Sequence, residues 1–201
     1  MPWWFLITPD VAIAKDELRR RMRARRRDLA AIDPGAAEAA ARRLPLEHLP
    51  DIAVAAGYHA LGSEISPWPV LRRLANRGAR IALPVAMAMD APLIFRAWSA
   101  DQAMEADAAR IPSPTEDAAT LVPQLLILPL LAFDLDGYRL GQGGGYYDRT
   151  VEALRAKGQL CVIGLAYAGQ QVDRVPREDH DQPVDAIVTE NGYHRVQTKD
   201  V

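Results

Sequence analysis

The sequence predicts a single three-layer α/β/α, Rossmann-like domain with a mostly parallel central sheet. Three observations carry that prediction. Short apolar runs of strand character alternate with helix-period segments over about 150 residues, the pattern of strand–helix–strand units stacked side by side. The chain has 201 residues, the size of one ordinary globular domain. Its 49% hydrophobic and 25% charged residues suit a packed core, which excludes disordered and fibrous classes.

Residues 1–14 read as a loose, poorly ordered extension, and 15–201 as the domain. The extension opens with Trp3, Trp4, Phe5, Leu6 and Ile7, and Ala12-Ile13-Ala14 is similar to a small-residue cleavage site. No Lys or Arg precedes the apolar run, which breaks at Thr8-Pro9-Asp10, so it does not fit a secretory signal. Lys15 to Ala30 carries eight basic against three acidic residues and only Leu18, Met22 and Leu29 as bulky apolar ones, which predicts a mostly solvated helix with a narrow buried seam. Asp33-Pro34 then signals a helix start, and the Ala-rich stretch Gly35 to Leu44 predicts a second helix, stopped before Leu49-Pro50.

From Ile52 the period changes. Ile52 to Tyr58 predicts a strand. Ser66-Pro67 opens a helix with its body at Val70 to Asn76 and Gly78 as its stop, and Arg80 to Pro84 predicts the next strand. This is a βαβ unit, which implies parallel pairing. Pro92 to Trp98 predicts a further strand, with Trp98 in the core. Ser99 to Asp117 reads as a polar loop with room for one short helix. Leu125 to Phe133 is short and strongly apolar, the candidate for a central strand buried on both faces. Thr150 to Lys157 predicts a helix ended by Gly158. Leu160 to Tyr167 predicts another buried strand, and Ala186 to Thr189 the last.

Composition also bounds function. A net charge of −2 argues against a nucleic-acid binder, and the lone Cys161 excludes a disulfide framework and a cysteine-based zinc finger. No stretch reaches the ~20 apolar residues of a membrane span. The expectation is a cytoplasmic protein with no nucleic-acid or membrane partner; nothing in the sequence demands an oligomer, so a monomer is expected.

One segment carries chemistry. After the central strand, Asp134-Leu135-Asp136-Gly137 signals a turn. Arg139-Leu140-Gly141-Gln142-Gly143-Gly144-Gly145-Tyr146-Tyr147-Asp148-Arg149 then leads into a helix. Four glycines in five positions free the backbone to turn several N–H groups to one side, and the helix N-terminus adds a positive dipole end. With two arginines flanking it, the segment predicts a phosphate cradle. It is not a P-loop, because no Gly-Lys-Ser/Thr follows. It is not a dinucleotide fingerprint either, because Tyr146 stands where a small residue is needed and Leu165-Ala166-Tyr167 offers no acid. The plain alternative is a tight turn that packs strand against helix.

This segment resembles the signature of the 5-formyltetrahydrofolate cyclo-ligase (5,10-methenyltetrahydrofolate synthetase) family. Three further stretches resemble that family in the same order: Lys15-Asp16-Glu17-Leu18-Arg19, Glu64-Ile65-Ser66, and His180-Asp181-Gln182-Pro183-Val184-Asp185 running on to Glu190. The resemblance implies ATP-dependent cyclisation of 5-formyltetrahydrofolate to 5,10-methenyltetrahydrofolate, with ATP as co-substrate, Mg²⁺ as cofactor, and ADP and phosphate released. It implies that the formyl oxygen is phosphorylated and that N10 then attacks the activated carbon.

Carried over by residue, the resemblance puts Lys15 and Arg19 on the ATP phosphates, one helical turn apart. Lys15 and Arg19 have a plainer reading as part of a solvated basic face, which holds for most of Arg20 to Arg27. ATP would be wrapped by Arg139, Leu140, Gly141, Gln142, Gly143, Gly144, Gly145, Tyr146 and Tyr147, with Arg139, Tyr146 and Tyr147 as the catalytic candidates. His59, Glu64 and Tyr146 would bind folate, and Asp148 and Asp181 would hold Mg²⁺. Each has a plainer reading: Asp148 as a helix N-cap, Asp181 as a turn residue, Glu64 as a first-turn acid. His48 and His194 read as surface or packing residues. Ile111-Pro112-Ser113-Pro114 fits the family's closing segment, but Ala109-Arg110 stands where members commonly carry a glycine or an aromatic ring. Two other functions stay open: a relative acting on another folate or small molecule, and a non-catalytic nucleotide-binding module.

Overall fold

A computed structural model describes residues 11–197. In chain order the helices are α1 (Val11–Ile32), α2 (Ala36–Arg43), α3 (Trp68–Ala75) and α4 (Tyr146–Arg155). The strands are β1 (Val54–Ala56), β2 (Arg80–Val85), β3 (Ile94–Ala97), β4 (Met104–Ala106), β5 (Pro112–Pro114), β6 (Thr120–Leu121), β7 (Leu125–Pro129), β8 (Ala132–Phe133), β9 (Arg139–Leu140), β10 (Cys161–Leu165), β11 (Ala186–Val188) and β12 (Tyr193–Arg195). Eight of them form one sheet in the order β12-β11-β10-β7-β1-β2-β3-β6, while β4-β5 and β8-β9 are separate hairpins. β11, β10, β7, β1 and β2 run parallel; β3, β6 and β12 add antiparallel edges.

The sheet is buried on both faces, and β7 shows why its sequence is an unbroken apolar run. Leu125 and Ile127 share one cluster with Leu71 and Leu74 of α3 and Ala40 and Ala41 of α2. Leu126 and Leu128, pointing the other way, share a second with Val151 of α4. All four β7 side chains are fully buried, each contributing roughly 1.5–3 kcal/mol of hydrophobic stabilisation. Helix α1 meets the first cluster only near its end, through Leu29 and Ala30. Its Leu18 and Met22 pack on Leu131, Ala132, Leu140 and Val175, beyond the carboxyl end of β7. Among the described residues no helix is long and apolar enough to cross a membrane.

Four expectations need correction. Helix α1 already includes Val11 to Ala14, as Val-Ala-Ile-Ala contains no helix breaker; residues 1–10 of the expected extension lie outside the described residues. Helix α4 begins at Tyr146, four residues before the expected Thr150, because Gly145 takes a left-handed φ of 65° and turns the chain straight into it. The segment Ser99 to Asp117 holds no helix. It forms the β4-β5 hairpin, with Met104 opposite Pro114, and prolines are tolerated there because the ladder is short and separate from the main sheet. Finally, β11 is not the last strand: the chain reverses and β12 pairs with it antiparallel.

Candidate active site

The five parallel strands, counted by order of appearance, stand in the order 2-1-3-4-5, so the winding reverses between β1 and β7. Loops leaving the carboxyl ends of those two strands diverge, which opens a crevice there. A cavity of about 430 Å³ occupies it. The segment after β1 contributes Tyr58 and His59, β2 contributes Pro84, and the end of β7 contributes Pro129, Leu130 and Leu131. Helix α1 crosses above with Lys15, Arg19 and Arg26. The Arg139 to Asp148 segment forms a further wall, and Glu178, His180 and Asp181 complete the rim.

The glycine loop is exposed, and the amides of Gly141 to Gly145 donate to no partner among the described residues. Gly143 has φ 106° and Gly145 φ 65°, a region that L side chains rarely enter. A Cβ on Gly143 would face the Arg19 guanidinium at 3.4 Å, and one on Gly145 would meet Arg149 Nη1 at 2.6 Å. Neighbouring side chains hold the loop by its carbonyls, leaving its N–H groups free. Arg19 Nε donates to Gly141 O at 3.1 Å, Arg149 Nη2 to Gly144 O at 2.8 Å, and Arg23 reaches Gln142 Oε1 at 3.1 Å. The Tyr146 ring lies against Gly144, with Arg149 5.5 Å from its centroid.

Lys15 is buried, and its Nζ donates to Asp181 Oδ2 at 2.6 Å and Glu178 Oε2 at 2.8 Å. Burial acts to lower its pKa, but the hydrogen bonds to Asp181 and Glu178 outweigh it and the net shift is upward. Arg139 Nη2 donates to Asp148 Oδ1 at 2.9 Å and its Nη1 donates to the Gln182 carbonyl. Asp148 Oδ1 also accepts the Gln182 N–H at 3.1 Å. Asp148 is therefore not an N-cap; Gly145 holds that position without a side-chain cap, and Asp148 sits in the first turn, tying α4 to the 178–182 segment.

The opposite wall is built from buried, paired side chains. Arg26 Nη1 donates to Glu64 Oε1 at 3.2 Å and its Nε to Ser63 Oγ at 3.2 Å. Glu64 Oε2 accepts the Leu61 N–H at 3.0 Å. Burial, and then the negative charge of Glu64, push the Tyr58 and Tyr147 phenols well above their ordinary range, so both remain protonated donors at neutral pH.

Every residue singled out from the sequence lines this one cavity: Lys15, Arg19, His59, Glu64, the Arg139 to Tyr147 segment, Asp148 and Asp181. Arg26 departs from the expected solvated face, since its side chain is only 8% exposed. The signal was present: Lys15, Leu18, Met22 and Arg26 are the buried positions of α1, and Arg26 stands four residues after Met22 on that seam. Tyr58 and Glu178 were also missed; neither belongs to a motif. Trp98 packs edge-on against Trp68 at 4.8 Å and lies outside the cavity, as does His194, whose Nε2 lies 3.0 Å from Leu135 O.

Among the described residues no three His, Cys, Asp or Glu side chains gather into a metal cage. Asp148 and Asp181 each have one oxygen engaged by a cationic side chain. That donor set suits a hard cation arriving on nucleotide phosphates and taking only one or two carboxylates, as Mg²⁺ does.

A model of the 5-formyltetrahydrofolate cyclo-ligase family matches residues 11–190. The 5-formyltetrahydrofolate cyclo-ligase of Escherichia coli K12 is 34% identical over 131 residues, which cover 63% of this chain and 71% of that one. The Haemophilus influenzae enzyme of the same name is 33% identical over 132 residues, 63% and 70% of the two chains. The solution structure of Aquifex aeolicus 5,10-methenyltetrahydrofolate synthetase superposes with a TM-score of 0.69 at 26% identity, covering 93% of this chain and 95% of that one.

Proposed function

The chain belongs to the 5-formyltetrahydrofolate cyclo-ligase family, and from that premise we propose that it closes 5-formyltetrahydrofolate to 5,10-methenyltetrahydrofolate at the expense of ATP. The observation that carries this reading is one cavity with two unlike walls: free backbone amides and cations on one side, a buried carboxylate and two phenols on the other. The first suits a triphosphate, the second a neutral heterocycle that donates hydrogen bonds.

In this reading Lys15, Arg19, Arg139 and the amides of Gly141 to Gly145 bind the phosphates and stabilise the charge that develops as the γ-phosphoryl group moves. The formyl oxygen forms the new bond to phosphorus and the bond to ADP breaks. N10 then attacks the formyl carbon, the carbon–oxygen bond breaks to release phosphate, and N10 loses its proton. The substrate supplies both nucleophiles, so the protein's work is alignment and charge neutralisation. Glu64 and His59 face the folate, Tyr146 offers its ring as a stacking surface, and Tyr147 acts as a protonated donor. Asp148 and Asp181 are the carboxylates that would hold Mg²⁺, which when bound neutralises phosphate charge. Lys15 would then exchange its two carboxylates for phosphate oxygens.

The test is the methenyl-folate chromophore in the near ultraviolet. Purified protein with 5-formyltetrahydrofolate, ATP and Mg²⁺ is expected to generate it, and omission of any component to abolish it. Nucleotide binding without the chromophore would point to a family relative with another substrate.

A further inference from the structure

Helix α1 serves both walls. Lys15 and Arg26 are eleven residues apart, which places them within about 20° of one another around the helix and about 16 Å apart along it. Lys15 therefore reaches the phosphate side, while Arg26 reaches the carboxylate on the other.

We infer that Arg26 is a positioning residue for the folate half of the cavity, holding Glu64 as a fixed acceptor. The inference rests on assigning that wall to folate. The side chains of Arg26 and Glu64 are 8% and 7% exposed, and both line the cavity. The two carboxylate oxygens are held from different directions, Oε1 by Arg26 at 3.2 Å and Oε2 by the Leu61 amide at 3.0 Å. The Ser63 hydroxyl fixes the guanidinium in turn at 3.2 Å. The groups facing Glu64 are Arg26 from α1, the Tyr58 phenol beyond β1 and the Tyr147 phenol from α4. Among these only Arg26 carries a charge opposite to the carboxylate. A buried carboxylate stripped of its cation takes up a proton or draws in water, and loses the single hydrogen-bonding pattern that a substrate can read. Paired with Arg26, Glu64 accepts only, which selects a heterocycle presenting N–H donors.

The test compares the full-length wild type with Arg26→Leu and Arg26→Lys, varying each substrate separately. Arg26→Leu is expected to raise KM for 5-formyltetrahydrofolate by roughly tenfold or more, the usual cost of losing a charge-assisted hydrogen bond. KM for ATP should stay within about twofold, since contacts on the loop side are untouched. Arg26→Lys, which keeps the charge but loses the Ser63 contact, should recover part of the loss. Equal losses for both substrates, or an unchanged folate KM, would overturn the assignment. If Arg26→Leu does not fold, Arg26→Lys carries the test alone, and an unchanged folate KM counts against it. Calorimetric binding of 5-formyltetrahydrofolate to the same variants reads the contrast without turnover. An inactive wild type would thus sink the ligase reading while the Arg26 comparison is still decided.

Discussion

On one side of the cavity, the loop from Gly141 to Gly144 is exposed and offers neutral amides that have no partner among the described residues. On the other, Arg26, Glu64 and Tyr58, with the half-buried Tyr147, form a wall in which the charges are already paired. The difference fits the ligand proposed for each wall. A triphosphate brings its own charge, so that side needs only dipoles and cations with freedom to rearrange. A neutral ring brings none, so a carboxylate waiting for it in a dry wall has to be neutralised from within. One wall is specified by backbone conformation, the other by side-chain pairing, and mutations should separate them.

The largest effect is expected at the loop. Gly143→Val forces a β-branched residue into φ 106°, with its Cβ against the Arg19 guanidinium. Turnover should fall by about a thousandfold, the scale seen when oriented donors are lost, with little change in folding. Near-wild-type kcat would mean that the loop does not orient phosphate. Arg139→Ala should lower turnover and also cost stability. It leaves the Gln182 carbonyl without that donor and Asp148 with only the Gln182 N–H, in a half-buried site, at a cost of about 3 kcal/mol. Chemical denaturation reads that directly, and an unchanged midpoint would show the pair to be dispensable.

Lys15→Ala should weaken ATP binding about tenfold and leave 5-formyltetrahydrofolate binding unchanged, which isothermal titration resolves. Because the folded protein raises the Lys15 pKa, its ion pairs stabilise fully below the ordinary value of 10.5 and are lost as pH rises beyond it. Wild-type stability should therefore decline in strong alkali more steeply than that of Lys15→Met. The smallest effect belongs to Cys161, which does not line the cavity. Burial pushes its thiol from 9.0 up to about 11, so between those values the native state holds a proton that the unfolded state releases, and stability falls as pH rises through that window. Alkylation should stay slow at pH 9 and accelerate only toward pH 11. Rapid labelling at pH 8 would contradict the burial of the thiol.

The contrast between the walls also explains what was legible in the sequence. Positive φ at Gly143 and Gly145 narrows the residue choice to glycine, so the loop is written in residue type and was readable. The same holds for β7, whose burial on both faces demands an unbroken apolar run. The paired wall leaves no such trace. Arg26 sits among eight basic residues and differs from its neighbours only in angle around the helix, while its partner Glu64 is 38 positions away. Charge count alone assigned it to solvent; the spacing from Leu18 and Met22 would have placed it inside. The β4-β5 hairpin escaped because Pro112 and Pro114 argue against a strand, and β12 because three residues of mixed burial carry no readable period.

The Lys15 contacts have a consequence in time. Lys15 meets residues 163 and 166 positions later in the chain, Glu178 and Asp181. At ordinary rates of synthesis, roughly 5–20 residues per second, about ten to thirty seconds separate the appearance of the helix from that of its partners. During that interval α1 has little to dock on, since Leu131, Leu140 and Val175, against which Leu18 and Met22 pack, are also still to come. Most helical stability in a protein comes from packing an apolar face, and that of α1 waits for these partners. The β1-α3-β2 unit is complete long before, so the scaffold precedes the pocket, whose rim closes only once Glu178 to Asp181 have emerged.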